Sequence, residues 1–246
     1  MTGKLYVVAT PIGNLGDITN RALDVLKSVD LILAEDTRVS KKLLRSYGIA
    51  TPVLSFHAHS KPEKLVSIVQ KISSGQNIAL VTDAGTPGIS DPGNELIDHL
   101  YKHSALTYSN LLEDIRTSSE SAVNSVLVRA PIIPIPGASA LTAALSVCGF
   151  NVREFTFIGF MPKKKRRKLV EGLIGAKRPF VYFDSPHRVI KNLELVAELA
   201  GDARVFVGRE LTKIHEQHYR GQAKDVLAAL KKQKSIKGEV VVVVEN

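Results

Sequence analysis

Short apolar runs alternate along the chain with longer stretches in which apolar residues recur every three or four positions. Residues 5–9, 31–34, 53–56, 78–81 and 132–135 have the length and composition of buried strands. Between the first two, Ala22, Leu23, Val25 and Leu26 fit a helix that Asp17 or Thr19 could cap. A helix over 40–47 should stop at Gly48, a favourable residue just past a helix end. Leu65, Ile68, Val69 and Ile72 give helical spacing over 63–73. Asp91 and Pro92 stand at the N-cap and first position of a helix expected over 92–103. Another helix should follow Pro136-Gly-Ala-Ser-Ala140 and run to about Cys148, before Gly149. This alternation of strand and helix predicts a parallel α/β sheet.

Residues 104–130 break the rhythm. They are rich in Ser, Thr and Asn and read as a surface insertion with one or two helical stretches. A boundary falls near 149–154, and a second set of elements follows. Strands are expected at 155–160, 180–183, 205–207, 218–221 and 239–245, with helices to about 174 and over 189–199 and 223–232. The expected organisation is two α/β domains, 1–150 and 151–246, with the insertion at about 104–130 in the first.

The chain is organised around Val81 to Gly93. A strand leads into three glycines and two prolines, and a helix is expected to follow. Two further loops, 10–17 and 136–140, also leave strand ends. In a parallel sheet all three emerge on one edge and can converge on one ligand. No Gly-Lys-Ser/Thr follows them, and Gly-x-Gly-x-x-Gly is absent after the first strand. The loops carry no basic residue, so a triphosphate is disfavoured; a ligand with sugar, base and amino-acid parts suits them better.

Composition narrows the setting. Apolar residues make up 44% of 246 positions, enough for a sizeable core. No apolar run approaches the roughly 20 residues of a membrane helix, and no secretion signal is visible at the start. A single cysteine, Cys148, excludes an internal disulfide and fits a reducing cytoplasm. The formal charge of +9 favours a polyanionic partner such as nucleic acid. The six-residue run Lys163, Lys164, Lys165, Arg166, Arg167 and Lys168 is a candidate for RNA phosphate contact. His57/His59 and His215/His218 lack a third ligand placed by the sequence, so no metal is expected.

Several segments resemble the ribosomal small-subunit RNA 2′-O-methyltransferase I family of the tetrapyrrole-methylase class. They are Leu5-Tyr-Val-Val-Ala-Thr-Pro-Ile-Gly-Asn-Leu15, Ala34-Glu-Asp-Thr-Arg38, Asp83 to Gly93, Ile135-Pro-Gly-Ala-Ser-Ala140, Ser185-Pro-His-Arg188 and Arg209-Glu-Leu-Thr-Lys213. They occur in the family's order over nearly the whole chain. The resemblance implies two α/β domains with S-adenosylmethionine (SAM) in the cleft between them, and a homodimer. It implies methylation of a cytidine ribose 2′-hydroxyl in the decoding region of 16S ribosomal RNA. SAM contacts then fall on Pro11, Asp83, Ala84, Gly85, Thr86, Ile89, Ser139, Ala140, Phe183, Asp184 and Gly221. The chain departs from the family in the 104–130 segment, in Ala138 where Pro is common, and in Asp184 where Glu is common.

A base can assist attack by the 2′-hydroxyl. Candidates near expected strand ends are Asp36, His57, Asp83, His187 and Glu210, each of which could instead hold a loop or pair with Arg38, Arg188 or Arg209. Asp36 with Arg38 is the first choice on the substrate side, followed by His187 and Glu210. The competing readings are a small-molecule tetrapyrrole methyltransferase and a non-catalytic RNA-binding protein with structural SAM.

Overall fold

The computed structural model describes residues 2–57, 60–91, 93–101 and 131–246. His59, Pro92 and the expected insertion at 104–130 lie outside them. The chain divides into two compact units, residues 1–10 with 17–137, and residues 11–16 with 138–246.

The first unit is built on β1 (Leu5–Val8), β2 (Leu31–Ala34), β3 (Val53–Ser55), β4 (Ile78–Val81) and β5 (Ile132–Ile135). Their order in the sheet is β3-β2-β4-β1-β5, and every pairing is parallel, as the alternation predicts. The helices are α1 (Asn20–Ser28), α2 (Thr37–Ser46), α3 (Pro62–Ser73) and α4, whose described helical residues are 94–101. Successive strand side chains point to opposite faces. Val8, Ile32, Ala34, Ala79, Val81 and Ile135 therefore pack with Ala22 and Leu26 of α1 and Leu44 of α2. Leu5, Leu33, Ile78 and Leu80 pack on the other face with Ile68 and Ile72 of α3 and Leu96 and Leu100 of α4. Burial on both faces explains why these strands read as continuous apolar runs rather than alternating ones.

Helix ends show where local chemistry overrides apolar pattern. Thr19 caps α1, its hydroxyl accepting from the Ala22 N–H at 3.1 Å. Asp17 instead ends a short 3₁₀ turn. The α2 helix begins at Thr37, earlier than residue 40, because Asp36 caps it and accepts the Arg38 N–H at 2.8 Å. The α4 helix begins at 94 rather than 92, since Gly93 has φ 135°, outside the helical region.

The second unit contains β6 (Thr156–Phe160), β7 (Phe180–Asp184), β8 (Arg204–Arg209), β9 (Gln217–Gln222) and β10 (Val240–Glu245) in the order β6-β7-β10-β8-β9. Its helices are α5 (Ala140–Cys148), α6 (Arg166–Gly175), α7 (Val189–Leu199) and α8 (Ala223–Lys231). Only β6 and β7 pair in parallel; the other three pairings are antiparallel. The seven residues 210–216 between β8 and β9 are too few for a crossover helix, so the chain returns as a hairpin. Phe180, Tyr182, Val205, Val207, Val242 and Val244 form its core with Val170, Leu193, Val196 and Leu230. Helix α5 packs against β10 and is grouped with this unit.

Candidate active site

The centre of the first sheet is β4. Helices α1 and α2, which follow its neighbours β1 and β2, pack on one face, and α4, which follows β4, packs on the other. The loop leaving β4 therefore departs opposite to both flanking loops. Crevices open at such points on the carboxyl edge of a parallel sheet, where α/β proteins bind ligands.

The loops at this edge are joined to one another. Gly85 and Thr10 exchange two backbone hydrogen bonds, of 2.9 and 3.0 Å. Thr10 is buried, and its hydroxyl donates to the Thr82 carbonyl at 3.2 Å. The β5 loop lies against β1, because a Cβ on Gly137 would sit 3.0 Å from that of Ala9. The β2 loop is tied in by Asp83, whose Oδ1 accepts the Asp36 N–H at 3.0 Å. Gly85 has φ 84°, a conformation open to glycine at little cost. Around it stand the exposed Asp83, the half-buried Ala84 and Thr86, and Ile89, an exposed apolar side chain. Carboxylate, hydroxyl, backbone amides and one apolar group suit a ligand of mixed sugar, base and amino-acid character, such as SAM. Pro11 is buried just beyond Thr10.

Four charged groups follow β2 and β4. The Asp36 carboxylate is engaged twice. It caps α2 and takes the Arg38 guanidinium at 3.0 Å from Nε and 2.6 Å from Nη2. Hydrogen bonds from the Arg38 side chain and N–H hold its carboxyl down at about 2. Arg38 itself is exposed. Glu35, which is not among the candidates read from the sequence, has the opposite environment. Burial, followed by the Asp83 carboxylate, pushes its carboxyl above the usual range, against a hydrogen bond from the Asp83 N–H. Glu35 stands inside the Ala34–Arg38 segment singled out in the sequence, but its burial and its neighbour 48 positions away come only with the fold.

The candidates in the second unit have different surroundings. Asp184 is buried at the end of β7 and accepts from Asn192 Nδ2 and the Ser185 N–H, both at 2.8 Å. Desolvation raises its carboxyl above the usual range despite those bonds and nearby Arg188. Arg188 donates to the Met161 carbonyl at 2.8 Å, and Arg166 reaches Asn192 at 3.4 Å. Phe183 packs edge-on against Phe157 and Phe160. His187 is exposed in the turn that follows. Glu210 accepts from Lys213 Nζ at 2.8 Å and from the Glu239 N–H at 2.9 Å. Burial alone would raise its carboxyl, but these bonds outweigh it and hold it below the usual range. Lys213 also fills the space over Gly13, where a Cβ would lie 2.2 Å from its Cγ. Ser139 precedes α5 without a side-chain capping bond, and Ala140 opens that helix. Gly221 lies within β9 with ordinary room for a Cβ.

In the basic run, Lys163, Lys164 and Lys165 precede α6, and Arg166, Arg167 and Lys168 form its first turn. Arg167 pairs with Glu198 at 2.5 Å and more loosely with Glu171 at 3.6 Å. Lys165 has φ 57°, strained for a residue with a side chain. Cations in a first turn oppose the helix dipole, so the segment concentrates positive potential at a cost in local stability.

Among the described residues no group of three His, Cys, Asp or Glu side chains could hold a metal ion, and no helix is long and apolar enough to cross a membrane. The family model for Tetrapyrrole (Corrin/Porphyrin) Methylases matches residues 4–108 and 120–227. A ribosomal RNA small subunit methyltransferase I from Thermotoga maritima is 40% identical over 245 residues, 99% of either chain. The protein of that name from Bacillus subtilis is 39% identical over 99% of this chain and 75% of its own length. The uroporphyrin-III-C-methyltransferase of Thermus thermophilus superposes with a TM-score of 0.61 at 16% identity, over 98% of this chain and 94% of its own. A diphthine synthase does so at 0.62 and 15%, over 98% and 90%. These structural likenesses establish the fold alone. With the family model matched over most of the chain and the identity sustained end to end, the chain belongs to the ribosomal RNA small subunit methyltransferase I family, within the tetrapyrrole methylases.

Proposed function

We propose that the protein transfers a methyl group from SAM to the ribose 2′-hydroxyl of a cytidine in the decoding region of 16S ribosomal RNA, acting in the cytoplasm as a homodimer. The observation that carries this reading is the pairing of Thr10 with Gly85 beside the central strand, which joins two of the resembling loops at the carboxyl edge of the sheet, where α/β proteins bind ligands. The proposal assigns SAM contacts to Pro11, Asp83, Ala84, Gly85, Thr86 and Ile89, and to Ser139, Ala140, Phe183, Asp184 and Gly221. SAM supplies an electrophilic methyl carbon, so a C–O bond forms as the S–C bond breaks, leaving S-adenosylhomocysteine and a proton to be taken up.

Glu35 is the better placed proton acceptor. A carboxylate whose affinity for a proton is raised by burial and by the Asp83 carboxylate is a stronger base than one held at about 2. Asp36 then presents Arg38 to the substrate and caps α2. His187 and Glu210 remain as alternatives, the latter weakened by its bond to Lys213. Lys163 to Lys168 are assigned to RNA phosphates, where the α6 N-terminus adds to their positive potential.

The test is transfer of tritium from methyl-labelled SAM to 30S subunits from cells lacking this protein, followed by nuclease mapping. One 2′-O-methylcytidine in the decoding region is expected. Label on a base, or none in the RNA, would overturn the assignment.

A further inference from the structure

Helix α2 carries a second basic surface, separate from the Lys163 run. At about 100° per residue, Arg38, Lys41, Lys42 and Arg45 fall within an arc of about 100°, opposite the buried Ser40 and Leu44. With Ser46 they line an open groove of about 580 Å³. Residues 38, 41, 42 and 45 make four like-charged pairs at spacings of three and four, each of them repulsive. A solvated helix face normally mixes signs. Among the described residues, every other helix that carries Lys or Arg also carries Asp or Glu, whereas α2 has no acidic residue. Asp36 neutralises Arg38 at the N-terminus, and Lys41, Lys42 and Arg45 have no ion pair among the described residues.

The face also has a fixed direction. Leu44 anchors α2 to the sheet, and Asp36 pins its first turn to Asp83 and so to the β4 loop. The helix starts at the carboxyl edge of β2, on the edge where the candidate ligand loops emerge. The geometry points to this α2 face as a phosphodiester-binding surface that holds the RNA strand beside the reacting ribose, with Lys41, Lys42 and Arg45 each meeting a phosphate. The inference rests on the substrate being RNA, as proposed above.

The experiment compares the full-length protein with a Lys41→Gln, Lys42→Gln, Arg45→Gln variant, and with a Lys41→Arg, Lys42→Arg control that keeps the charge. Glutamine favours helix as lysine does, and removing the repulsion should leave thermal stability equal or higher. Binding to deproteinised 16S RNA and to 30S subunits is followed as salt rises. The log–log slope should flatten by roughly 0.7 for each phosphate no longer neutralised, about two units in all, with affinity near 0.1 M salt down about tenfold or more. SAM affinity, read by calorimetry, should not move, and the arginine control should keep the wild-type slope. An unchanged slope on deproteinised RNA overturns the inference. If the slope changes only with 30S subunits, the surface meets a ribosomal protein and the RNA assignment is likewise overturned. Failure of the underlying reading looks different, because wild type itself would then leave the RNA unlabelled.

Discussion

Carboxylates stand at strand ends in both units, but their surroundings differ. In the first unit the loops after β1 and β4 hold each other by backbone bonds, and those after β2 and β4 through Asp83. Glu35 is left with a raised carboxyl, which the Asp83 N–H and His57 offset only in part. In the second unit Asp184 is enclosed by Asn192, Ser185 and Arg188, and Glu210 by Lys213 and Glu239. A strand-end carboxylate marks chemistry only where the scaffold does not consume it. In the first unit Glu35 has only a backbone donor among the described residues, whereas in the second Asp184 and Glu210 each hold a side-chain donor.

The largest expected effect sets Glu35 against Asp36. Glu35→Gln should lower the single-turnover rate at saturating RNA and SAM by about 10²- to 10⁴-fold, the range for loss of a general base. Asp36→Asn should cost less than about tenfold under those conditions, since saturation hides a binding defect but not a chemical one. The reverse ranking would return the base to Asp36.

Next in size is Gly85→Val. A β-branched residue at φ 84° is strained by roughly 1–2 kcal/mol, and its side chain would project beside the loop. SAM affinity, titrated calorimetrically, should fall about 100-fold or more by this steric argument. Full affinity in a folded variant would detach the β4 loop from the cofactor.

Acid titration separates the two scaffolds by sign. Asp36 has its folded carboxyl lowered from 3.8 to about 2, so its stabilisation is present above pH 3.8 and is lost as pH falls towards 2. Asp184 has its folded carboxyl raised above 3.8, so the folded state binds the proton more tightly, and its contribution is fully present below pH 3.8 and weakens as pH rises above it. In urea unfolding between pH 2 and 6, Asp184→Asn should remove a component that falls above pH 3.8, and Asp36→Asn one that rises between pH 2 and 3.8. Parallel profiles for both variants would erase the distinction.

The smallest effect tests the glycines of the second unit. A Cβ on Gly172 within α6 meets nothing within 4 Å. Gly172→Ala should therefore add about 0.5–1 kcal/mol of stability, with SAM affinity untouched. A loss of stability would mean that this helix face is occupied.

Much of this is legible in the chain. Strands 31–34, 78–81 and 132–135 and helix 189–199 fall at the bounds the pattern predicts, because an apolar run or face bounded by turn residues is a local signal. The start of α2 does not, since Asp36-Thr-Arg38 has no apolar residue and the cap acts through a side-chain bond. The mixed second sheet is invisible in the pattern because strand direction depends on non-local pairing. At the site the loops show as Gly-Pro clusters. The fates of Asp184 and Glu210 do not show, for Asn192 and Glu239 reach them only in the folded unit. The charges of Lys41, Lys42 and Arg45 are plain in the sequence, but their lack of an ion pair among the described residues is not.

The central claim is that the carboxyl edge of the first sheet holds the methyl donor. Ultraviolet cross-linking of methyl-tritiated SAM to the intact protein, followed by peptide mapping, tests it most directly. The account predicts label in the peptide spanning residues 82–93, lost on adding excess unlabelled S-adenosylhomocysteine. Competable label confined to peptides outside the first unit would contradict it.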